Sequence, residues 1–312
     1  MQATLVYNPN AGRAAQVGVE DLLGALKNAG FEAWYSPTDT EDELDATLRN
    51  VEGLVVAAGG DGTIRAVASR LAGKDVLLAP VPLGTANNLG VSLGISGNPL
   101  EIVSRLSSGQ ERALDIGCIH SSWGEDYFLE AAGYGLFAEV LHRYEPDKGK
   151  SLLRGLDSIL KTLTDYRVET CNLRLDGKDL GGKYLLVEAF NTPLMGPRLR
   201  LASEADTGDG LFDVVLIKEE ARGEWVSFFT RMLRDELVDH PAYEIHRGRL
   251  LEFVRTGFAI HYDAMVLPEM QDGPSKKARR KPAQRKEEVI RLEVLPGAVR
   301  LLLPGTKVEK KD

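Results

Sequence analysis

The chain has 312 residues, 43% of them hydrophobic and 27% charged, with a net charge of −8 at pH 7. These values predict a globular protein of one large or two ordinary domains, and they exclude global disorder and a surface built to coat nucleic acid. No run of 18 apolar residues occurs, no secretory leader opens the chain, and Cys118 and Cys171 stand in no zinc-ligand or disulfide spacing. The expectation is a cytoplasmic protein that meets a membrane only at its surface.

The first 110 residues alternate strand and helix signals. Residues 4–7 form a short β-rich apolar run, and Val19, Leu22, Leu23 and Leu26 then recur at helical spacing up to Gly30. Phe31, Ala33 and Tyr35 alternate as in a strand, and the acidic stretch 39–50 reads as a helix. Residues 54–58 are continuously apolar, as in a strand buried on both faces. Ile64, Val67, Ala68 and Leu71 make the next helical stripe, starting at about Thr63, and residues 76–81 are again strand-like. This order predicts a mostly parallel sheet covered by helices.

From about residue 112 strand signals follow one another, at 112–119, 126–132, 184–190, 211–217, 249–254, 257–262, 289–295 and 298–303. They predict an antiparallel β domain, interrupted by one helix carrying Leu152 to Leu163 and another carrying Trp225 to Met232. The division expected is an α/β nucleotide domain over 1–111 and a β-sandwich over 112–312, with the last residues packing back on the first domain. The segment 271–286 holds seven Lys/Arg and one Asp and reads as a solvated loop.

Three polar, glycine-bearing turns follow strands of the α/β part: Asn8-Pro9-Asn10-Ala11-Gly12, Gly59-Gly60-Asp61-Gly62-Thr63 and Val81-Pro82-Leu83-Gly84-Thr85-Ala86-Asn87-Asn88. In a parallel sheet the strand C-termini share one edge, so these turns meet there. Glycines let a ligand approach the backbone, and a helix N-terminus at about Thr63 favours phosphate. Asp61 sits oddly in a plain phosphate cradle, and suits a metal ion, a hydroxyl or a ribose.

In that order these motifs resemble the diacylglycerol kinase-like catalytic domain family, which includes sphingosine kinases and bacterial lipid kinases. Ala132-Gly133-Tyr134-Gly135, the stretch 202–214 and the ending Leu-Pro-Gly-Ala-Val-Arg-Leu-Leu-Leu-Pro at 295–304 extend the resemblance over nearly the whole chain. It implies an α/β nucleotide domain similar to phosphofructokinase and NAD kinase, followed by an antiparallel β-sandwich. ATP is then held by Asn8, Pro9, Gly59, Gly60, Asp61, Gly62, Thr63, Gly84, Thr85 and Asn87. A lipid alcohol is the acceptor, Asp263 and Asp61 are the catalytic residues, and Mg²⁺ is held by the Asp209 carboxylate and the Leu211 carbonyl.

Two positions depart from the family pattern. Ala66 stands where relatives carry a glutamate, and Asp263-Ala264-Met265 stands where they carry Asp-Gly-Glu, so Met265 replaces the usual candidate base. Asp263 itself, or Glu269, is left for that role. Alternatives stay open: a kinase of a soluble metabolite such as NAD, and a nucleotide- or lipid-binding protein with little catalysis. Membrane contact through 271–286 or the Trp225–Met232 stripe, and a homodimer, are further expectations that the residues leave undecided.

Overall fold

The computed structural model describes residues 1–38, 40–143, 166, 168, 170–196, 198–224, 231, 236–237, 239–255, 258–267 and 288–306. The helix expected over Leu152–Leu163, most of the Trp225–Met232 stripe, Glu269 and the basic segment 271–286 lie outside the described residues.

The first part runs β1 (Gln2–Tyr7), α1 (Val19–Asn28), β2 (Glu32–Tyr35), α2 (Glu41–Arg49), β3 (Leu54–Gly59), α3 (Asp61–Leu71), β4 (Leu77–Pro82), α4 (Asn88–Ser92) and α5 (Pro99–Ser104). The second runs β5 (Gln110–Ser121), β6 (Gly124–Phe128), β7 (Ala131–Gly135), α6 (Leu136–Arg143), β8 (Thr170–Cys171), β9 (Leu173–Leu175), β10 (Lys178–Asp179) and β11 (Gly182–Phe190). It ends with β12 (Leu194–Met195), β13 (Leu199–Arg200), β14 (Phe212–Lys218), β15 (Tyr243–Gly248), β16 (Leu250–Arg255), β17 (Ile260–Tyr262), β18 (Met265–Leu267) and β19 (Glu288–Leu303). Among the described residues no helix is long and apolar enough to cross a membrane.

Strands β2, β1, β3 and β4 are parallel neighbours, as the alternation of strands and helices requires. Every residue of β3 and β4 is buried, which explains their unbroken apolar runs. Ile64, Val67, Ala68 and Leu71 are the buried face of α3. That helix starts at Asp61, two residues earlier than the apolar stripe suggests, because Gly60 takes an extended conformation and serves as its N-cap. α2 is fixed by a capping box in which Thr40 Oγ1 accepts from the Glu43 amide and Glu43 Oε2 accepts from the Thr40 amide.

The sheet does not stop at β4. The end of β19 pairs in parallel with β4, Arg300 opposite Leu77, while its first half pairs antiparallel with β16. One sheet thus runs from the α/β part into the β part. The two strand runs at 289–295 and 298–303 are a single bent strand, because Gly297 adopts φ +58° and its amide is held 2.7 Å from the buried Asp115 Oδ1. The run at 126–132 is divided instead between β6 and β7.

A second sheet, ordered β15-β14-β11-β7-β17-β18, is antiparallel throughout. It packs on β16, β19 and β9 across a core that includes Phe128, Tyr134, Val187, Phe212, Phe253 and Leu292, making a β-sandwich. β7 fits because Gly133 has no side chain. A Cβ there would lie 2.0 Å from the Val187 carbonyl oxygen and 2.5 Å from Glu188 Oε2. The obstacle is backbone that cannot rotate away. Gly133→Ala is therefore expected to lose at least the ~1–3 kcal/mol typical of overpacking, read as a fall in the urea midpoint.

Candidate active site

The C-terminal ends of β1, β3 and β4 place the three glycine turns side by side. The Asn8 amide donates to the Ala58 carbonyl at 2.9 Å, the Leu83 amide to Gly59 at 2.6 Å and the Arg13 amide to Leu83 at 2.7 Å. Asn8 Nδ2 donates to Thr63 Oγ1 at 2.9 Å, which ties the Asn8-Pro9-Asn10 turn to the first turn of α3. The second and third turns touch backbone to backbone: a Cβ on Gly84 would fall 2.8 Å from Gly60 Cα. No side chain caps α3, so its leading amides keep their partial positive charge for an anion.

Beside this cradle is a cavity of about 460 Å³, lined by Gly12, Arg13, Gly84, Thr85, Asn87 and Arg198 among others. Nucleotide-sized ligands occupy cavities of roughly 300–1,000 Å³. Arg13 Nη2 donates to the Pro82 carbonyl at 2.6 Å and Arg198 Nε to the Ala86 carbonyl at 3.1 Å, so both guanidinium groups are anchored at the rim. Two buried polar atoms of the lining, Arg13 Nε and Asn87 Oδ1, have no hydrogen-bond partner. Asn87 takes φ +51° and donates to the Gly84 carbonyl at 2.8 Å, which sets the turn into α4.

An acidic cluster closes the other side. Asp61 Oδ1 accepts from the Leu89 amide at 3.2 Å, and burial raises its carboxyl above the ordinary value. Asp263 accepts from the amides of Leu129 (3.1 Å), Glu130 (2.8 Å) and Ala131 (3.4 Å), and Arg65 Nε lies 3.8 Å from its Oδ2. Burial raises Asp263 too, against those donors. Between them sits Glu130, itself buried, with Oε2 accepting from Asn88 Nδ2 at 2.9 Å. Burial, then the charges of Asp263 and Asp61, push Glu130 well above the carboxylate range. Carboxylates crowded this way share a proton or await a cation.

Asp263 is held in shape from behind. It takes φ +48°, and His261 Nδ1 hydrogen-bonds its carbonyl at 3.0 Å. His261 Nε2 meets Glu188 Oε2 at 2.8 Å, both side chains being wholly buried. Burial pulls His261 down, but the Glu188 charge and the hydrogen bonds outweigh it and the imidazole is raised. Arg65 stacks over Tyr262 at 5.4 Å, and its Nη1 donates to the Tyr127 carbonyl at 3.3 Å.

Asp209 and Leu211 share a separate turn before β14. Asp209 Oδ1 accepts from the Leu211 amide at 3.0 Å and Oδ2 pairs with Arg247; the neighbouring Gly210 amide donates to Asp115 Oδ2 at 2.6 Å. The contacts of this turn are with Asp115 and Arg247 rather than with Asp61 or Asp263. Its chemistry fits a hard cation. The donors are all oxygens, Asp213 Oδ2 is buried without a hydrogen-bond partner, and burial and then Glu204 raise Asp213 to about 6. The half-exposed Arg247 is the group a cation would have to share or displace.

The structure thus brings together Asn8, Gly59 to Thr63, Gly84, Thr85 and Asn87, with Asp61 and Asp263 both acting on Glu130. Ala66 is a half-buried core contact and Met265 is 45% exposed, so neither adds a polar group to the cluster. Sequence reasoning missed Arg13, Arg198, Glu130 and the Glu188–His261 pair, and it gave Asn88, inside a turn it singled out, no role. A lone acid in the apolar stretch Phe128-Leu129-Glu130-Ala131-Ala132 was the available signal for Glu130. Arg13 directly follows a turn already singled out. Nothing local marks Arg198.

Comparison with known proteins agrees with this geometry. The diacylglycerol kinase catalytic domain profile matches residues 2–119, and the YegS C-terminal NAD kinase beta sandwich-like domain profile matches residues 150–303. A diacylglycerol kinase of Bacillus subtilis (strain 168) is 30% identical over 250 residues, covering 76% of this chain and 80% of that protein. A diacylglycerol kinase of Staphylococcus aureus (strain JH9) is 27% identical over 252 residues, covering 77% and 78%. The crystal structure of a diacylglycerol kinase from Bacillus anthracis (strain Sterne) superposes with a TM-score of 0.66 at 16% identity, covering 98% of each chain; at that identity it speaks for the fold. The chain belongs to the diacylglycerol kinase family, and is a kinase that phosphorylates a hydroxyl group.

Proposed function

We propose that the protein transfers the γ-phosphoryl group of ATP to a hydroxyl of a diacylglycerol-like or sphingoid lipid. The observation that carries this reading is the convergence of the three glycine turns on the uncapped start of α3, facing the cluster of Asp61, Glu130 and Asp263. The donor phosphates lie against the amides of Gly60 to Thr63 and the Gly84-Thr85 turn, with Arg13 and Arg198 at the rim. Mg²⁺, when bound, supplies neutralisation of phosphoryl charge, and the residues to hold it are Asp61 at the cleft and Asp209, Asp213 and the Leu211 carbonyl in their own turn. Asp263 takes the proton of the acceptor hydroxyl as the new O–P bond forms and ADP leaves. Burial raises the Asp263 carboxyl, which makes it a stronger proton acceptor than an ordinary aspartate.

The acceptor meets the protein at a membrane surface in this reading. Its support is the sequence of 271–286, where each basic residue contributes about 1 kcal/mol near anionic lipid. The test is labelled ATP with a total lipid extract, comparing wild type with Asp263→Asn and Asp61→Asn. Labelled lipid that disappears in both variants supports the proposal. Label confined to a water-soluble product replaces it with a metabolite kinase, and tight ATP binding without transfer replaces it with a binding protein.

A further inference from the structure

A second set of ligand-type side chains lies outside the kinase site, on the outer face of β5. Cys118 and His120 are two residues apart on that strand and so point to the same side. β6 runs antiparallel beside them and sets Glu125 opposite His120, while β19, on the other flank, sets Glu293 opposite Cys118. β5 and β6 thereby bring Cys118 Sγ, a ring nitrogen of His120 and a carboxylate oxygen of Glu125 within 4.8 Å of one another. Glu293 Oε2 lies 3.6 Å from His120 Nε2.

We propose that Cys118, His120, Glu125 and Glu293 form a zinc-binding site. One thiolate, one imidazole and carboxylate oxygens make a donor set for Zn²⁺ rather than for Mg²⁺, which takes oxygen alone. Bonds of about 2.0–2.3 Å in a tetrahedron separate donors by about 3.3–3.7 Å, so modest side-chain rotations close the gap. Glu125 and Glu293 are exposed, and each would turn from its present contact with His120 to make them. His120 is already oriented: Nδ1 lies 3.0 Å from Glu125 Oε1, whereas the buried Nε2 has no hydrogen-bond partner. With Glu293 Oε2 only in ion-pair range, a buried nitrogen without a hydrogen bond costs free energy that a metal bond would recover. Arg291, the basic residue paired across from His120, is turned to Glu252 at 2.8 Å and so leaves the cluster without a competing cation from that position.

Binding replaces the thiol proton with zinc, the proton passing to solvent. The ion would pin the β5–β6 hairpin to β19. Glu125 precedes by four to six residues the amides of Leu129, Glu130 and Ala131 that hold Asp263, so the site is a rear anchor for the strand leading into the active site. The role is structural, and it stands independently of the acceptor proposed above.

The test uses the full chain stripped with chelator and titrated with Co²⁺ as zinc's spectroscopic stand-in. Expected is one equivalent bound, a thiolate-to-cobalt charge-transfer band with the visible bands of a four-coordinate ion, and loss of both on adding Zn²⁺. Cys118→Ser should abolish the charge-transfer band, His120→Ala should weaken binding by more than the about 10–100-fold that an outer-shell partner costs, and Cys171→Ser should change neither. Zinc-edge X-ray absorption on the loaded wild type needs no variant and should show one sulfur among nitrogen and oxygen neighbours. A shell without sulfur, meaning an adventitious ion only, overturns the proposal, as does a charge-transfer band that survives Cys118→Ser.

Discussion

Replacing Asp263 with asparagine is expected to lower kcat by about 10²–10⁴-fold, the usual worth of a general base, while the protein stays folded. The substitution isolates the charge. Asp263 sits at φ +48°, a region that asparagine tolerates and alanine resists, so the backbone is preserved. The carboxylate collects three amides and lies 3.8 Å from Arg65, with burial raising its pKa from the usual carboxylate range. An amide keeps the shape but cannot take a proton from the acceptor. Steady-state kinetics should therefore show a fall in kcat with little change in KM for ATP, because the hydrogen bonds of Asp263 go to the amides of residues 129–131 and not to the glycine turns. Asp61→Asn should also fall in kcat. Unchanged turnover in Asp263→Asn would move the proton acceptor to Glu130, the other buried carboxylate of the cluster.

Removing one partner of the Glu188–His261 pair is expected to cost about 3–5 kcal/mol, because the survivor is left charged or unsatisfied in a dry core. Both side chains are wholly buried, and they meet at 2.8 Å between β11 and β17. Glu188→Gln and His261→Ala should each lower the urea midpoint, and His261→Ala should also reduce kcat by releasing the Asp263 carbonyl. The loss has a pH signature. His261 is raised above its unfolded value, so its contribution is full below about pH 6.5 and is lost as pH rises through the folded value. Burial raises Glu188 as well, with His261 opposing, and a raised carboxyl likewise favours the folded state at low pH. Unfolding free energies of wild type and Glu188→Gln should therefore converge as pH is increased. A gap that widens with pH would mean the imidazole is neutral in the folded protein.

The elements of the α/β part were legible because each obeys a local rule. Buried parallel strands demand unbroken apolar runs, as in Leu54–Gly59, and one-sided helices demand stripes, as in Ile64, Val67, Ala68 and Leu71. The β part was legible only coarsely. Its register depends on partners far along the chain, as when β9 pairs with β16 and β5 with β19, while β8, β10, β12 and β13 span two residues each and are too short to show an alternation. Hydrophobic alternation says that a strand exists but not which neighbour it takes.

By itself the sequence determined the three glycine turns and the family, because glycine turns at strand ends need their residues in contiguous order. Tertiary structure alone decided what faces the cradle. Glu130 joins Asp61 and Asp263 from the turn between β6 and β7, Arg198 arrives more than a hundred residues after Ala86, and β19 joins the α/β and β parts in one sheet through Arg300 and Leu77. The reason is physical: a backbone cradle is built from neighbours in sequence, whereas a buried charge cluster is stable only where distant strands supply its donors and counter-ions together.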